Sequence, residues 1–447
     1  MAKNKTLFSC SSCGASSPKW LGKCPVCGEF NTYSEETLIE KKKSAEYRGF
    51  DNGKLTSLED INITDSERLK TGMEELDRVF GGGIVRGSMV LLGGEPGAGK
   101  STLALKMADM VSAAGKVLYI SGEESLEQIK LRAVRTKVSS KNIMLATETG
   151  VEKITAMIEK EMPVLAIIDS IQTVFKEDID AAAGTVSQIK ESCAQLMYAA
   201  KKTGVAIMII GHVTKDGMIA GPKILEHMVD AVMYFEAEKY YQFKILRAVK
   251  NRFGSTNEIG IFEMGGGGIK EIKSPSKVLL DGLKLSKTGS AIVTVMEGTR
   301  PLLLEVQALT SRRNFGIPQR TVTGVDYNRF LIVLAILEKA LDIHMDNHDI
   351  FVNVAGGIKI DDTGADMGLA AAIYSSFTER PVSTKWVFIG ELSLDGEIRP
   401  VKFAQQRIAE AQRLGFEACF VPERTPQFKA EIEVKRINNI SMLKTIL

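Results

Sequence analysis

The stretch Gly94-Glu95-Pro96-Gly97-Ala98-Gly99-Lys100-Ser101-Thr102 satisfies the pattern G-x-x-x-x-G-K-[ST], follows the apolar run Val90-Leu91-Leu92 and opens a helical pattern. This is phosphate chemistry. Glycines let backbone N–H groups curl around phosphate oxygens, Lys100 reaches the β and γ oxygens, and Ser101 is placed to ligate Mg²⁺. The helix that follows offers its positive N-terminus to the same anion.

A second cluster is metal chemistry. Cys10 and Cys13 form C-x-x-C, and after a gap Cys24 and Cys27 form C-P-x-C-G. Two such turns can aim four thiolates at one tetrahedral Zn²⁺, a closed site of structural type. Redox pairs or two disulfides are the alternative, which a cytosolic setting disfavours. Cys193 and Cys419 stand far away in apolar surroundings and read as core.

The phosphate loop needs a sheet to hold it. Apolar runs at 116–121, 164–170, 205–212 and 241–250 supply its strands, all but the last nearly continuous in hydrophobicity. That pattern fits a parallel sheet covered by helices on both faces, with ligands gathered at the carboxyl ends of the strands. Glu123, Glu124, Asp169 and His212 follow those ends. Asp169 suits the Mg²⁺-organising acid, and one of the two glutamates suits the group that orients or deprotonates the attacking water. His212 either senses the γ-phosphate or closes its strand.

Composition sets the outer limits. A chain of 447 residues with 44% hydrophobic and 25% charged content can fill two or three cores, and a net charge of +2 gives no global sign of nucleic-acid affinity. No apolar run reaches the roughly 18–20 residues of a membrane span and the start lacks a leader pattern, so a cytoplasmic protein is expected. The segment with Lys41, Lys42 and Lys43 reads as a polar linker. From Gly211 a long loop through His212 carries Lys215, three glycines and Lys223, and long loops are usually functional. Beyond the breaker MGGGGIKEIKSPS the pattern becomes α+β, with strands at 289–298, 301–310 and 350–360 and helices at 329–341 and 368–377.

TGMEELDRVFGGGIVRGSMVLLGGEPGAGKSTL resembles the RecA/DnaB class of P-loop ATPases. The motif KNRFG, Lys250 to Gly254, together with the four-cysteine finger, is similar to the RadA (Sms) family of bacterial DNA-repair proteins. The resemblance implies ATP as nucleotide and Glu123 as the catalytic glutamate, with Lys250 and Arg252 as cations reaching a neighbour's nucleotide in a homo-hexamer. It also implies a DNA-dependent ATPase of recombination and repair that moves along single-stranded DNA and processes branched intermediates alongside a RecA recombinase. Lys215 and Lys223 then lie where single-stranded DNA is gripped.

The last region resembles the C-terminal domain of Lon-type proteases, including FIGELSLDGEIRPV from Phe388 to Val401. There the serine position falls on Ala365 and the lysine position on Gln405, so a scaffold without peptidase activity is expected. Ser375, Ser376 and Lys402 are the remaining groups for a rearranged dyad. Arg312 and Arg313 in TSRRNFG either face DNA or pair with carboxylates between subunits. An ATP-dependent protease and a KaiC-like nucleotide switch are the competing readings. The expected plan is a zinc finger (1–30), a linker (31–60), a RecA-like α/β ATPase core (61–270) and a Lon protease-like α+β domain (271–447).

Overall fold

The computed structural model describes residues 5–10, 15–38, 68–212, 222–237, 243–282, 286–313, 316–356 and 358–447. The chain divides into two compact units, the first ending at Ile272 and the second occupying Lys273–Leu447. Cys13, the Lys41–Lys43 run and Lys215 lie outside the described residues, and of Lys223 only the backbone is described.

The N-terminal part of the first unit is a small ribbon. Strands β1 (Lys5–Cys10), β2 (Ser16–Ser17) and β3 (Tyr33–Leu38) form an antiparallel sheet of order β2-β1-β3. Cys10 pairs with Tyr33 in register. The ribbon therefore runs beyond residue 30 into the stretch read as linker, because Tyr33 is needed inside, against Cys10 and Cys24. So small an apolar core needs a metal or another staple.

The rest of the unit is a nine-stranded sheet between helix layers. Its strands are β4 (Met89–Gly93), β5 (Val117–Ser121), β6 (Ile143–Thr147), β7 (Leu165–Asp169), β8 (Ala206–Ile210), β9 (Ala231–Ala237), β10 (Phe243–Asn251), β11 (Ile259–Gly265) and β12 (Gly268–Glu271). The order is β12-β11-β10-β9-β4-β8-β7-β5-β6. Strands β9, β4, β8, β7, β5 and β6 are parallel, and β10 to β12 extend the sheet as an antiparallel meander. The run at 241–250, grouped by sequence with the parallel strands, is thus the antiparallel β10. Its mixed burial, with Lys244, Arg247 and Val249 only partly buried or exposed, separates it from the other three runs.

Helices α1 (Lys100–Val111) and α2 (Leu126–Arg135) cover one face; α3 (Val151–Glu161), α4 (Val186–Thr203) and the short α5 (Pro222–Met228) cover the other. Strand β4 shows why both faces must be covered. Val90 and Leu92 join the core under α1, while Met89 and Leu91 join the core under α4.

The second unit is built on a seven-stranded mixed sheet. Its strands are β13 (Ser290–Glu297), β14 (Arg300–Arg312), β15 (Arg320–Thr323), β16 (His348–Val354), β17 (Trp386–Phe388), β18 (Ala418–Pro422) and β19 (Glu433–Ile437), in the order β15-β16-β14-β13-β17-β18-β19. It carries α6 (Tyr327–Leu341), the almost wholly buried α7 (Asp366–Thr378) and α8 (Ala404–Arg413). Among the described residues no helix is long and apolar enough to cross a membrane.

Candidate functional site

The loop 94–99 leaves β4 and enters α1 with Gly94 at φ +151°, Gly97 at +77° and Gly99 at +104°. At Gly94 a Cβ would stand 2.3 Å from the carbonyl oxygen of Phe235, so only glycine fits there. At Gly97 nothing lies within 4 Å of an added Cβ; the rim of the loop is open. The N-terminus of α1 has no side-chain cap, which leaves its first N–H groups aimed into the loop. Lys100 is the first residue of this helix and only 3% exposed. Its ammonium donates to the carbonyl oxygens of Gly94 (2.8 Å) and Glu95 (2.9 Å) and lies 3.1 Å from His212 Nδ1. Burial lowers its pKa, opposed by the carboxylates of Asp169 and Glu123. An uncapped helix end with a buried cation held on neutral groups fits a triphosphate. Ser101 and Thr102 follow in the first turn of α1.

The register sets the acids at the same end of the sheet, because Ile210 pairs with both Leu92 and Asp169, and Ser121 pairs with Asp169. Glu123 lies just past β5. Its Oε1 accepts a hydrogen bond from Ser170 Oγ and stands 3.4 Å from His212 Nε2. His212 therefore bridges Glu123 and Lys100. With Lys100 protonated, Nδ1 accepts and Nε2–H donates to the carboxylate. That contact with His212 is the main cause holding the Glu123 carboxyl below its ordinary pKa, ahead of the opposing effect of burial. Glu124 goes elsewhere: its carboxylate pairs with Arg132 of α2. Geometry thus separates the two glutamates, and of the pair only Glu123 faces the lysine, as the resemblance implies.

Sequence reasoning missed Tyr119. Its hydroxyl donates to Asp169 Oδ2 at 2.7 Å, and both side chains are buried. Tyr119 pairs across the sheet with Ile167, so it shares a face with Asp169 two residues on. Burial, then the Asp169 charge, raise the phenol pKa well above its usual value, which keeps it a donor. The available signal was one hydroxyl-bearing ring inside the apolar run of β5.

Lys250 and Arg252 occupy the other end of the sheet. Lys250 pairs with Val232, which pairs with Leu91, and Arg252 N donates to the Asp230 carbonyl, before β9 begins. The Lys250 ammonium caps α5 through the carbonyl oxygens of Glu226 (2.7 Å) and Val229 (2.8 Å). Arg252, 58% exposed, reaches Asp230 Oδ1 at 3.4 Å, and Asp230 also accepts from Lys201 at 3.0 Å. Two strands across from β4, Lys250 is level with its middle residue Leu91 and Arg252 with its start at Met89, whereas the phosphate loop leaves its carboxyl end. The chain does not bring them to its own loop.

In the ribbon, the sulfurs of Cys10, Cys24 and Cys27 lie within 4.8 Å of one another, Cys10 and Cys27 at 3.7 Å. A tetrahedral site with Zn–S near 2.3 Å requires sulfur separations of about 3.8 Å, and a disulfide requires about 2.05 Å. The donor set fits Zn²⁺. Gly28, at φ +78°, turns the chain after Cys27, and its N–H donates to the Cys24 carbonyl.

In the second unit, Ala365 precedes α7 and is buried, while Gln405 on α8 faces solvent. Beside them sits Arg407, 2% exposed. Its guanidinium donates to Thr294 O (2.6 Å), Lys402 O (3.0 Å) and Asp362 Oδ2 (2.6 Å). A Cβ on Gly364 would lie 2.8 Å from Arg407 Nη1. Ser375 accepts from Gly289 N and donates to Arg380 O, Ser376 accepts from Thr310 N, and the Lys402 side chain is exposed. Arg313 pairs with Asp349 at 3.0 Å, and Arg312 is exposed at the end of β14.

Comparison with known proteins follows the same divisions. A family model described as an AAA domain matches residues 56–218, one described as subunit ChlI of Mg-chelatase matches 313–425, and a rubredoxin metal binding domain matches 8–35. DNA repair protein RadA of Bacillus subtilis (strain 168) is 47% identical over 428 residues, covering 94% of this chain and 93% of its own length. The protein of the same name from Halalkalibacterium halodurans is 49% identical over 428 residues, covering 95% of this chain and 94% of its own length. That of Listeria monocytogenes is 48% identical over 424 residues, covering 94% and 93%. Among solved structures, a KaiC-like protein of Pyrococcus horikoshii OT3 aligns with a TM-score of 0.39 and 19% identity, over 46% of this chain and 99% of its own.

Proposed function

Since this chain belongs to the RadA family of DNA repair proteins, we propose that its ATPase is a DNA-stimulated, hexameric, DnaB-like motor that moves along single-stranded DNA. The chain is a RecA-like ATPase of DNA repair and recombination that uses ATP, Mg²⁺ and Zn²⁺. The motor acts on branched recombination intermediates by branch migration, alongside a RecA recombinase, in the cytoplasm.

One observation carries this reading. Lys250 and Arg252 stand at the end of the sheet away from their own phosphate loop, so a cation of the KNRFG motif serves a nucleotide only across a subunit boundary. A site completed by its neighbour ties hydrolysis to assembly.

Ser101 and Asp169 are the residues that would hold Mg²⁺, which would supply neutralisation of the nucleotide's phosphate charge. Tyr119 fixes one oxygen of Asp169 and leaves the other for the metal's shell. Lys100 exchanges the carbonyls of Gly94 and Glu95 for phosphate oxygens. Glu123, kept ionised by His212 and Ser170, orients water and accepts its proton. Arg252 of an adjacent subunit compensates the γ-phosphate charge. Lys215, Lys223, Arg312 and Arg313 are the DNA contacts of this reading, and the second unit is its ring-forming scaffold, without peptidase chemistry.

ATP turnover measured with and without single-stranded DNA, together with mass by light scattering, tests the proposal. Stimulation in a species of six chains is expected. Turnover indifferent to DNA would favour a nucleotide switch, and a monomer with full activity would remove the trans cation.

A further inference from the structure

The ribbon keeps its rings in two places. Tyr33 is inside, 7% exposed and packed with Cys10 and Cys24, whereas Trp20 and Phe30 stand outside that core at 51% and 66% exposure. Trp20 is held there. Its Nε1 donates to the Tyr33 carbonyl at 3.1 Å, and a Cβ on Gly22 would lie 3.8 Å from the indole Cη2 and Cζ3. Phe30 bridges Lys23 across the ribbon, and the Lys23 ammonium lies 5.0 Å from its ring centroid.

Lys19 and Lys23 interleave with the two rings, and Glu29 is the one acidic residue between 15 and 33. Half-open aromatic rings with lysines beside them are the components of a base-stacking platform, since every nucleobase has a π-face and each is followed by a phosphate. Four thiolates on Zn²⁺ leave a net negative charge nearby. The ribbon is therefore a poor general phosphate patch, and ring stacking must supply most of the contact.

We propose that the zinc ribbon binds single-stranded DNA by stacking bases on Trp20 and Phe30, with Lys19 and Lys23 on the flanking phosphates. This rests on the DNA-binding reading above but assigns the contact to a surface separate from the loop after His212 and from Arg312 and Arg313. The strand leaving the ATPase would then be held by a second site, through contacts insensitive to sequence.

The chain has two tryptophans, Trp20 and Trp386, which makes the test direct. In zinc-loaded full-length Trp386→Phe, Trp20 is the one indole, and titration with labelled oligo(dT) reads binding by anisotropy and stacking by Trp20 emission. The expected result is quenching that saturates with the anisotropy. At fixed salt, Trp20→Ala in the otherwise natural chain should weaken oligo(dT) binding by about 5- to 150-fold, and Phe30→Ala should also weaken it. Anisotropy that rises while Trp20 emission stays constant would overturn this proposal and leave the DNA-binding reading standing; no rise at all would remove both. A change of mass in Trp20→Ala, with oligo(dT) affinity unchanged, would show that the rings pack against a second copy of the chain instead. If Trp386→Phe does not fold, photo-crosslinking of the natural chain to oligo(dT) decides: adducts in the peptide carrying Trp20 or Phe30 support the proposal, and adducts confined to other peptides refute it.

Discussion

Lys100 and Arg407 are both buried cations beside the start of a helix, and they are held in opposite ways. Lys100 rests on two carbonyl oxygens and an imidazole nitrogen, none of them anionic, and burial lowers its pKa against the opposing charges of Asp169 and Glu123. Arg407 is held by a carboxylate and two carbonyls at 2.6–3.0 Å. A phosphate can displace the first set at little cost, since it brings a full negative charge. No ligand displaces the second without breaking an ion pair. The difference separates a group stored for use from one built into the frame, and it distinguishes the phosphate end of the nine-stranded sheet from the α7 end of the second unit.

The largest expected effect lies with the exposed cation that neither description covers. Arg252→Ala should still bind ATP through its own loop but hydrolyse it about 10³–10⁵-fold more slowly, with little loss of stability because Arg252 itself is exposed and the buried Asp230 carboxylate keeps Lys201 and Met89 N. Mixing it with Lys100→Ala, which lacks the stored cation, should restore part of the turnover at interfaces that pair an intact loop with an intact arginine. Verified subunit exchange without recovery would break the trans assignment.

Arg407→Ala should do the reverse. Loss of a buried pair commonly costs about 3–5 kcal/mol. The lower figure is expected here, since Asp362 keeps hydrogen bonds from Met296 N and Gly364 N. Denaturation should show the second unit destabilised by about 3 kcal/mol, and ATP turnover per folded chain should hold. A loss of turnover without a loss of stability would place Arg407 among the functional cations.

Tyr119→Phe sharpens the comparison within the active end. It removes one hydrogen bond to a buried carboxylate, worth about 1.5–3 kcal/mol, part of which Mg²⁺ and water recover. About tenfold slower hydrolysis is expected, together with a higher Mg²⁺ requirement for binding a fluorescent ATP analogue. An unchanged Mg²⁺ requirement would make Tyr119 a packing residue only.

What could be read from sequence follows the same divide. The phosphate loop, Asp169 and the core strands were legible because each depends on local order: glycine spacing, an apolar run, and an acid at its end. The antiparallel β10 and the pairing of Tyr33 with Cys10 were not, because strand direction and partner are set by contacts between distant segments. Position after the strand did not by itself separate Glu124 from Glu123; Arg132, in the helix that follows, claims the Glu124 carboxylate. Arg407 lies two residues past Gln405, and no local pattern announces that a guanidinium will turn inward.

That inward turn governs the smallest expected effect, which is none. Ala365→Ser with Gln405→Lys restores both residue types of a Lon-type dyad, and no casein degradation is expected. A lysine serves as a base at neutral pH only where burial lowers its pKa, and residue 405 faces solvent on α8. The buried cation near Ala365 is Arg407, which does not deprotonate, and it already engages Asp362 in the turn before α7. The new serine would therefore sit next to a fixed positive charge with no base in reach. Measurable, ATP-gated cleavage by the double variant would mean that residue 405 can turn inward and that the α7 end is stored machinery like the phosphate loop, which would erase the contrast between Lys100 and Arg407.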